Sequence, residues 1–130
     1  MDLGLKDRVA LVAAASKGLG YGVARALAGD GARVSICSRS ADDIKAAGIR
    51  LAGETGAEVL ATACDVRDPA AIQNWVDRTV EQWGHIDALL VNAGGPPAGL
   101  IKDFNDQQWQ EAFELTLMST VRMIRAVRFA

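Results

Sequence analysis

Ser16, Lys17, Gly18, Leu19 and Gly20 stand between an apolar run, Val9–Ala13, and the stretch VARALA at 23–28. Glycines at a junction of strand and helix leave backbone N–H groups free to face an anion, and the helix N-terminus adds a partial positive charge. The pyrophosphate of a dinucleotide suits such a loop. Ala14 stands where loops of this kind usually carry their first glycine, and alanine is expected to serve there only at negative φ. About 20 residues on, where an acidic residue would hold the ribose hydroxyls of NAD, come Ser38 and Arg39. A guanidinium beside a small hydroxyl fits a 2′-phosphate, and Lys17 can reach the same group, so NADP(H) is expected over NAD(H). Asp65, in ACDVRD at 63–68, can accept a hydrogen bond from an adenine amino group. Asn92 is followed by Ala93, two glycines and two prolines. Glycines there let a ribose or nicotinamide lie against backbone.

Such residues need elements to hold them at one edge. Four short apolar runs, at 8–14, 32–38, 57–63 and 86–92, have the continuous hydrophobicity of strands covered on both faces. Helical patterns fall between them. One covers 18–29. A second, 41–53, starts behind Ser40 and is expected to end near Gly53. A third, 69–83, has Asp68 as N-cap and Pro69 in its first turn. The last runs from about 106 to 127 behind the capping pair Asn105 and Gln108. Strands alternating with helices predict an α/β fold, a Rossmann-like doubly wound parallel sheet of about four strands in the order 3-2-1-4.

The chain has 130 residues, half of them hydrophobic, and a net charge of −2. That is one domain's length, 1–130, with a real core and no electrostatic case for nucleic acid or anionic membrane. No apolar run reaches membrane-spanning length, no secretory leader is visible, and two cysteines make no disulfide framework, so a cytoplasmic location is expected. Cys37 and Cys64 end neighbouring strands and are read as buried, reduced thiols. His85, the only histidine, is read as a surface residue with no second metal ligand. Trp75 and Trp83 share a helix face and are assigned to packing. The last helix is apolar on more than one side, through Leu115, Leu117, Met118, Val121, Met123 and Ile124. A partner subunit, in a homo-oligomer, is expected to cover the excess, unless further chain does.

Taken together, AASKGLG at 14–20, CDV at 64–66 and NAG at 92–94 resemble the short-chain dehydrogenase/reductase family, with order and spacing fitting from Arg8 to about Arg125. Within it the stretch is most similar to the 3-oxoacyl-carrier-protein-reductase-like branch. The resemblance implies that the backbone of Ser16 to Gly20 lines the phosphates. It places Ser38 and Arg39 at the 2′-phosphate, Cys64, Asp65 and Val66 around adenine, and Asn92, Ala93 and Gly94 on the ribose side. It also implies a serine, a tyrosine and a lysine four residues after the tyrosine for catalysis, beyond a fifth strand. No Tyr-x-x-x-Lys occurs here: the only tyrosine is Tyr21, followed at that spacing by Arg25. Thr116 stands where the family carries an asparagine that supports the lysine through water. The expectation is an incomplete NAD(P)-binding domain that binds cofactor without turning over, the alternative being a non-catalytic nucleotide-binding or interaction module. A methyltransferase-like domain, which shares the glycine loop, would want an acidic residue where Arg39 stands.

Overall fold

A computed structural model describes residues 1–130. Its elements are β1 (Val9–Val12), α1 (Gly18–Gly29), β2 (Arg33–Ser38), α2 (Ala41–Thr55), β3 (Val59–Ala63), α3 (Pro69–Trp83) and β4 (Ala88–Leu90). A 3-10 turn at Ile101–Asp103 follows. Then come α4 (Asp106–Phe113), a π-helical turn (Glu114–Met118) and α5 (Ser119–Val127). The four strands form one parallel sheet in the order β3-β2-β1-β4. This is the doubly wound arrangement that the alternating pattern implies.

Alternation along the strands divides the core into two layers. Ala10, Val12, Val34 and Ile36 face α1 and α2, where they meet Ala24, Ala28, Ile44, Ala47 and Leu51. Leu11, Ala13 and Cys37 face the other way, onto Ile72, Trp75 and Val76 of α3 and Met123 of α5. Every residue of β1 is buried, as a central strand with helices on both sides requires. Trp75 is fully buried, and its indole Nε1 donates to Ser35 Oγ at 2.9 Å. Ser35 Oγ pairs with Thr79 Oγ1 at 2.7 Å, and Thr79 donates to the Trp75 carbonyl. These two buried hydroxyls are therefore satisfied within one closed set.

Two boundaries differ from the sequence expectation. α2 passes through Gly53 and stops at Thr55, because Gly56 takes the left-handed conformation (φ 71°) and its N–H bonds the Ala52 carbonyl at 2.8 Å. β4 is shorter than its apolar run, being paired on one side only, with β1. Its start is pinned by Asp87, which accepts from the Val9 N–H at 2.8 Å and pairs with His85 and Arg8. The Val9 N–H, then the charges of His85 and Arg8, hold this carboxyl below its ordinary range. His85 is thus exposed at the amino-terminal edge of the sheet, across it from the glycine loop.

The last helical stretch is continuous from 106 to 127 but carries a π turn in its middle. Such turns shift the side chains that follow them around the axis. Met123 ends up in the core, while Leu117 and Ile124 remain exposed, together with Trp109 and Phe113.

Candidate functional site: a cleft at the carboxyl edge of the sheet

The loop after β1 turns sharply into α1. Ala14 takes a left-handed conformation, φ 49°, against the negative φ expected for an alanine. Its neighbours hold it there: the Ala15 N–H bonds the Cys37 carbonyl at 3.0 Å, and Asn92 Nδ2 donates to the Ala13 and Ala14 carbonyls at 3.3 and 3.4 Å. An L-residue in this region carries about 1–2 kcal/mol of strain. Ala14→Gly is therefore expected to stabilise the chain by about 1 kcal/mol, raising the melting temperature by a few degrees. A lower melting temperature would mean that the alanine methyl contributes more than the strain costs.

Gly20 is needed for a different reason. A Cβ there would collide with the Ala14 carbonyl oxygen, and would lie 2.9 Å from its carbon and 3.0 Å from Asn92 Nδ2. Close approach of α1 to the loop is what the glycine permits.

The start of α1 is unlike the other helix starts. Ser40 caps α2, Asp68 caps α3 and Asn105 caps α4, each by accepting a backbone N–H. Lys17, at the N-cap of α1, makes no side-chain cap, and no acidic residue lies in the first turn. The first N–H groups of a helix have no intrahelical acceptor. Here they open, with the positive end of the helix dipole, into a cleft of about 830 Å³.

All fourteen residues singled out from sequence line that cleft: Ala14, Ser16 to Gly20, Ser38, Arg39, Cys64 to Val66 and Asn92 to Gly94. Ends of all four strands supply them, as expected where strand order reverses in a doubly wound sheet. The Cys64 N–H bonds the Ser38 carbonyl at 2.8 Å and ties the second and third of these segments together. Five further residues, Ser40, Asp43, Arg67, Gly95 and Leu115, complete the wall. Ser40, Arg67 and Gly95 adjoin named positions. Leu115 lies more than twenty residues from the nearest of them and adjoins only Thr116, the position of the family's asparagine. A second groove, about 730 Å³, runs between α3 and the end of α5 and gathers none of the fourteen.

Electrostatically the cleft is mixed. Lys17 and Arg39 make no salt bridge. Asp65 is engaged by Arg67, whose hydrogen bonds hold the carboxyl below its ordinary range, with a smaller contribution from the charge of Arg39. Cys37 and Cys64 are both buried and unlinked by a disulfide. The hydrogen bond to Cys64, then burial, pushes the Cys37 thiol well up.

Tyr21 lies outside the cleft. It is buried, its hydroxyl donates to Glu54 Oε2 at 3.0 Å, and Arg50 stacks 4.0 Å from its ring centre. It ties α1 to α2. Thr116 is exposed, with its hydroxyl bonded to the Ala112 carbonyl of its own helix.

Residues 8–129 match the family model described as short chain dehydrogenase. The chain belongs to the short-chain dehydrogenase family. Among its relatives in this family, a monensin polyketide synthase ketoacyl reductase of Streptomyces virginiae is 37% identical over 121 residues. The alignment takes in 93% of this chain and 46% of the relative. L-Sorbose reductase of Gluconobacter frateurii, solved with NADPH and L-sorbose, superposes with a TM-score of 0.94 at 31% identity. It covers 98% of this chain and 49% of that one. An actinorhodin polyketide ketoreductase solved with NADPH gives 0.89 at 33% identity, over 95% and 47%. The chain thus spans about half the length of the short-chain dehydrogenases it matches. No helix is long and apolar enough to cross a membrane.

Proposed function

We propose that residues 1–130 are the cofactor-binding half of an NADP(H)-dependent oxidoreductase. The intact reaction moves hydride between the nicotinamide and the carbon of a carbonyl or alcohol. One observation carries the reading: the only uncapped helix start among α1 to α4 opens into the cleft that also holds two unpaired cations, Lys17 and Arg39. NADPH-bound structures among the similar reductases support it. When bound, the nicotinamide supplies the hydride or accepts it.

The residues of this chain would do the holding. N–H groups at the start of α1 take the pyrophosphate. Arg39 and Lys17, beside Ser38, take the 2′-phosphate. Asp65 accepts from the adenine amino group between Cys64 and Val66, and Asn92, Ala93 and Gly94 border the ribose. The acid–base groups of the reaction lie outside these residues, because no tyrosine with a lysine four residues on is present. Fluorescence titration of the 130-residue chain with NADPH tests the binding. No saturation up to millimolar concentration would sink the reading, and NADPH oxidation by the chain with a ketone would sink its non-catalytic part.

Arg39→Asp separates the two cofactors. Loss of a charge-assisted phosphate contact is expected to weaken NADPH binding by about 30-fold, roughly 2 kcal/mol, while NADH binding is unchanged or improves. Equal loss for both cofactors would place Arg39 away from the 2′-phosphate.

The exposed face of the last two helices supports self-association. Trp109, Phe113, Leu117 and Ile124 are each at least 44% exposed, and large apolar side chains gathered along one helical stretch suit a contact surface. A dimer or larger species is expected by light scattering at micromolar concentration; a clean monomer would remove this part. Reduced, buried Cys37 and Cys64 suit a cytoplasmic setting.

A further inference from the structure

Arg67 lines the cleft and is tied to Asp65 three times. Its backbone N–H donates to Asp65 Oδ1 at 3.0 Å, and its Nε donates to the same oxygen at 3.1 Å. Its Nη2 donates to Oδ2 at 2.8 Å. A carboxylate has about four lone-pair sites, so one is left, on Oδ2. The Asp65 side chain keeps 35% of its surface exposed and lines the cleft. The planar fork of Arg67 also fixes the plane of the carboxylate, which a single point charge would not do.

Arg67 is itself held from the far side. Arg122 Nη1, on α5, donates to the Arg67 carbonyl at 3.3 Å and pairs at 2.6 Å with Glu114 of the π turn. The turn carrying Asp65 is therefore clamped at a side chain and at its backbone.

We propose that Arg67 is a positioning residue that aims the one free acceptor site of Asp65, so that the cleft selects a purine bearing a 6-amino donor over one bearing a 6-oxo acceptor. The inference rests on the dinucleotide reading. A 6-oxo group would set its oxygen against a carboxylate that has no proton to offer. An amino group donates to it. Without the Arg67 side chain only the backbone N–H still holds Oδ1, water fills the vacated sites, and the preference weakens.

The test compares NADPH with its 6-oxo analogue, reduced nicotinamide hypoxanthine dinucleotide phosphate, on the 130-residue chain. Wild type is expected to bind NADPH about ten-fold more tightly, the worth of one hydrogen bond to a charged group. Arg67→Ala is expected to bring the two within about three-fold, by weakening NADPH more than the analogue. Arg67→Lys keeps the charge without the fork, and is expected to lose the preference as well. The carboxyl titration of Asp65, followed by carbon NMR, should rise towards its ordinary range in Arg67→Ala, a shift that a role in folding alone would not produce. Equal binding of both nucleotides by wild type overturns the inference while the dinucleotide reading stands. Binding of neither overturns both. An unchanged ratio in Arg67→Ala or Arg67→Lys overturns the positioning role.

Discussion

Gly20→Val is expected to abolish NADPH binding and to lower the stability of the chain by at least about 3 kcal/mol. The obstacle is backbone. The Ala14 carbonyl and Asn92 Nδ2 occupy the space a side chain would need. Ala14 cannot give way easily, because Asn92 and the Cys37 carbonyl already fix the loop on both sides. The first turn of α1 must then retreat, taking with it the N–H groups proposed to face the pyrophosphate. Thermal melting with and without NADPH checks this. Wild-type melting together with a wild-type nucleotide-induced shift would show that the close approach has no functional weight. Gly22→Ala is the control. A Cβ there meets nothing within 4 Å, so melting and binding should stay near wild type.

Trp75→Ala is expected to cost about 3–5 kcal/mol, the usual loss for truncating a fully buried large aromatic. Natural domains have only about 5–15 kcal/mol of net stability, so the melting temperature should fall by on the order of 10–20 °C, or folding should fail. Two losses combine. A cavity opens between β1, β2 and α5, and Ser35 loses the indole donor on an otherwise closed buried set. Trp75→Phe tells them apart, since it keeps most of the volume and removes only the N–H; it should cost about 1–2 kcal/mol. Cys64 and Val66, which wall the cleft, pack in the same layer as Trp75. Weaker NADPH binding should therefore accompany the alanine variant even below its melting point. A denaturation midpoint equal to wild type for Trp75→Ala would contradict the packing described here.

The strand and helix order was legible because this sheet is buried on both faces. Runs such as Val9–Ala13 have no polar interruption, and the helices between them announce their starts at Ser40, Asp68 and Asn105. Strand order then follows the usual doubly wound arrangement, with right-handed crossovers placing helices on both faces. Boundaries were less legible. Gly53 and Gly56 are both plausible stops, and only the left-handed backbone of Gly56 decides between them. The π turn at Glu114–Met118 has no composition cue; Leu115 reaches the cleft through that turn and the packing of α5 on α3.

Local chemistry in the sequence was enough to single out the glycine loop, the Ser38–Arg39 pair, Asp65 and Asn92 as strand-end residues, and the fold gathers them in one cleft. How those segments act on one another was left to tertiary structure. Ala14 carries a backbone conformation that alanine disfavours, and it does so because Asn92 and the Cys37 carbonyl, distant in sequence, hold the turn. Asn92, assigned to the ribose side, also serves as a brace for that loop. Tyr21, close to the glycines in sequence, turns away from the cleft to join α1 and α2. Nothing in the sequence aims the Asp65 carboxylate, but in the fold it is bonded by Arg67, whose carbonyl is held by Arg122. A residue's type is set by the partner it must meet. Its direction is set by what packs behind it, and only the folded chain supplies that.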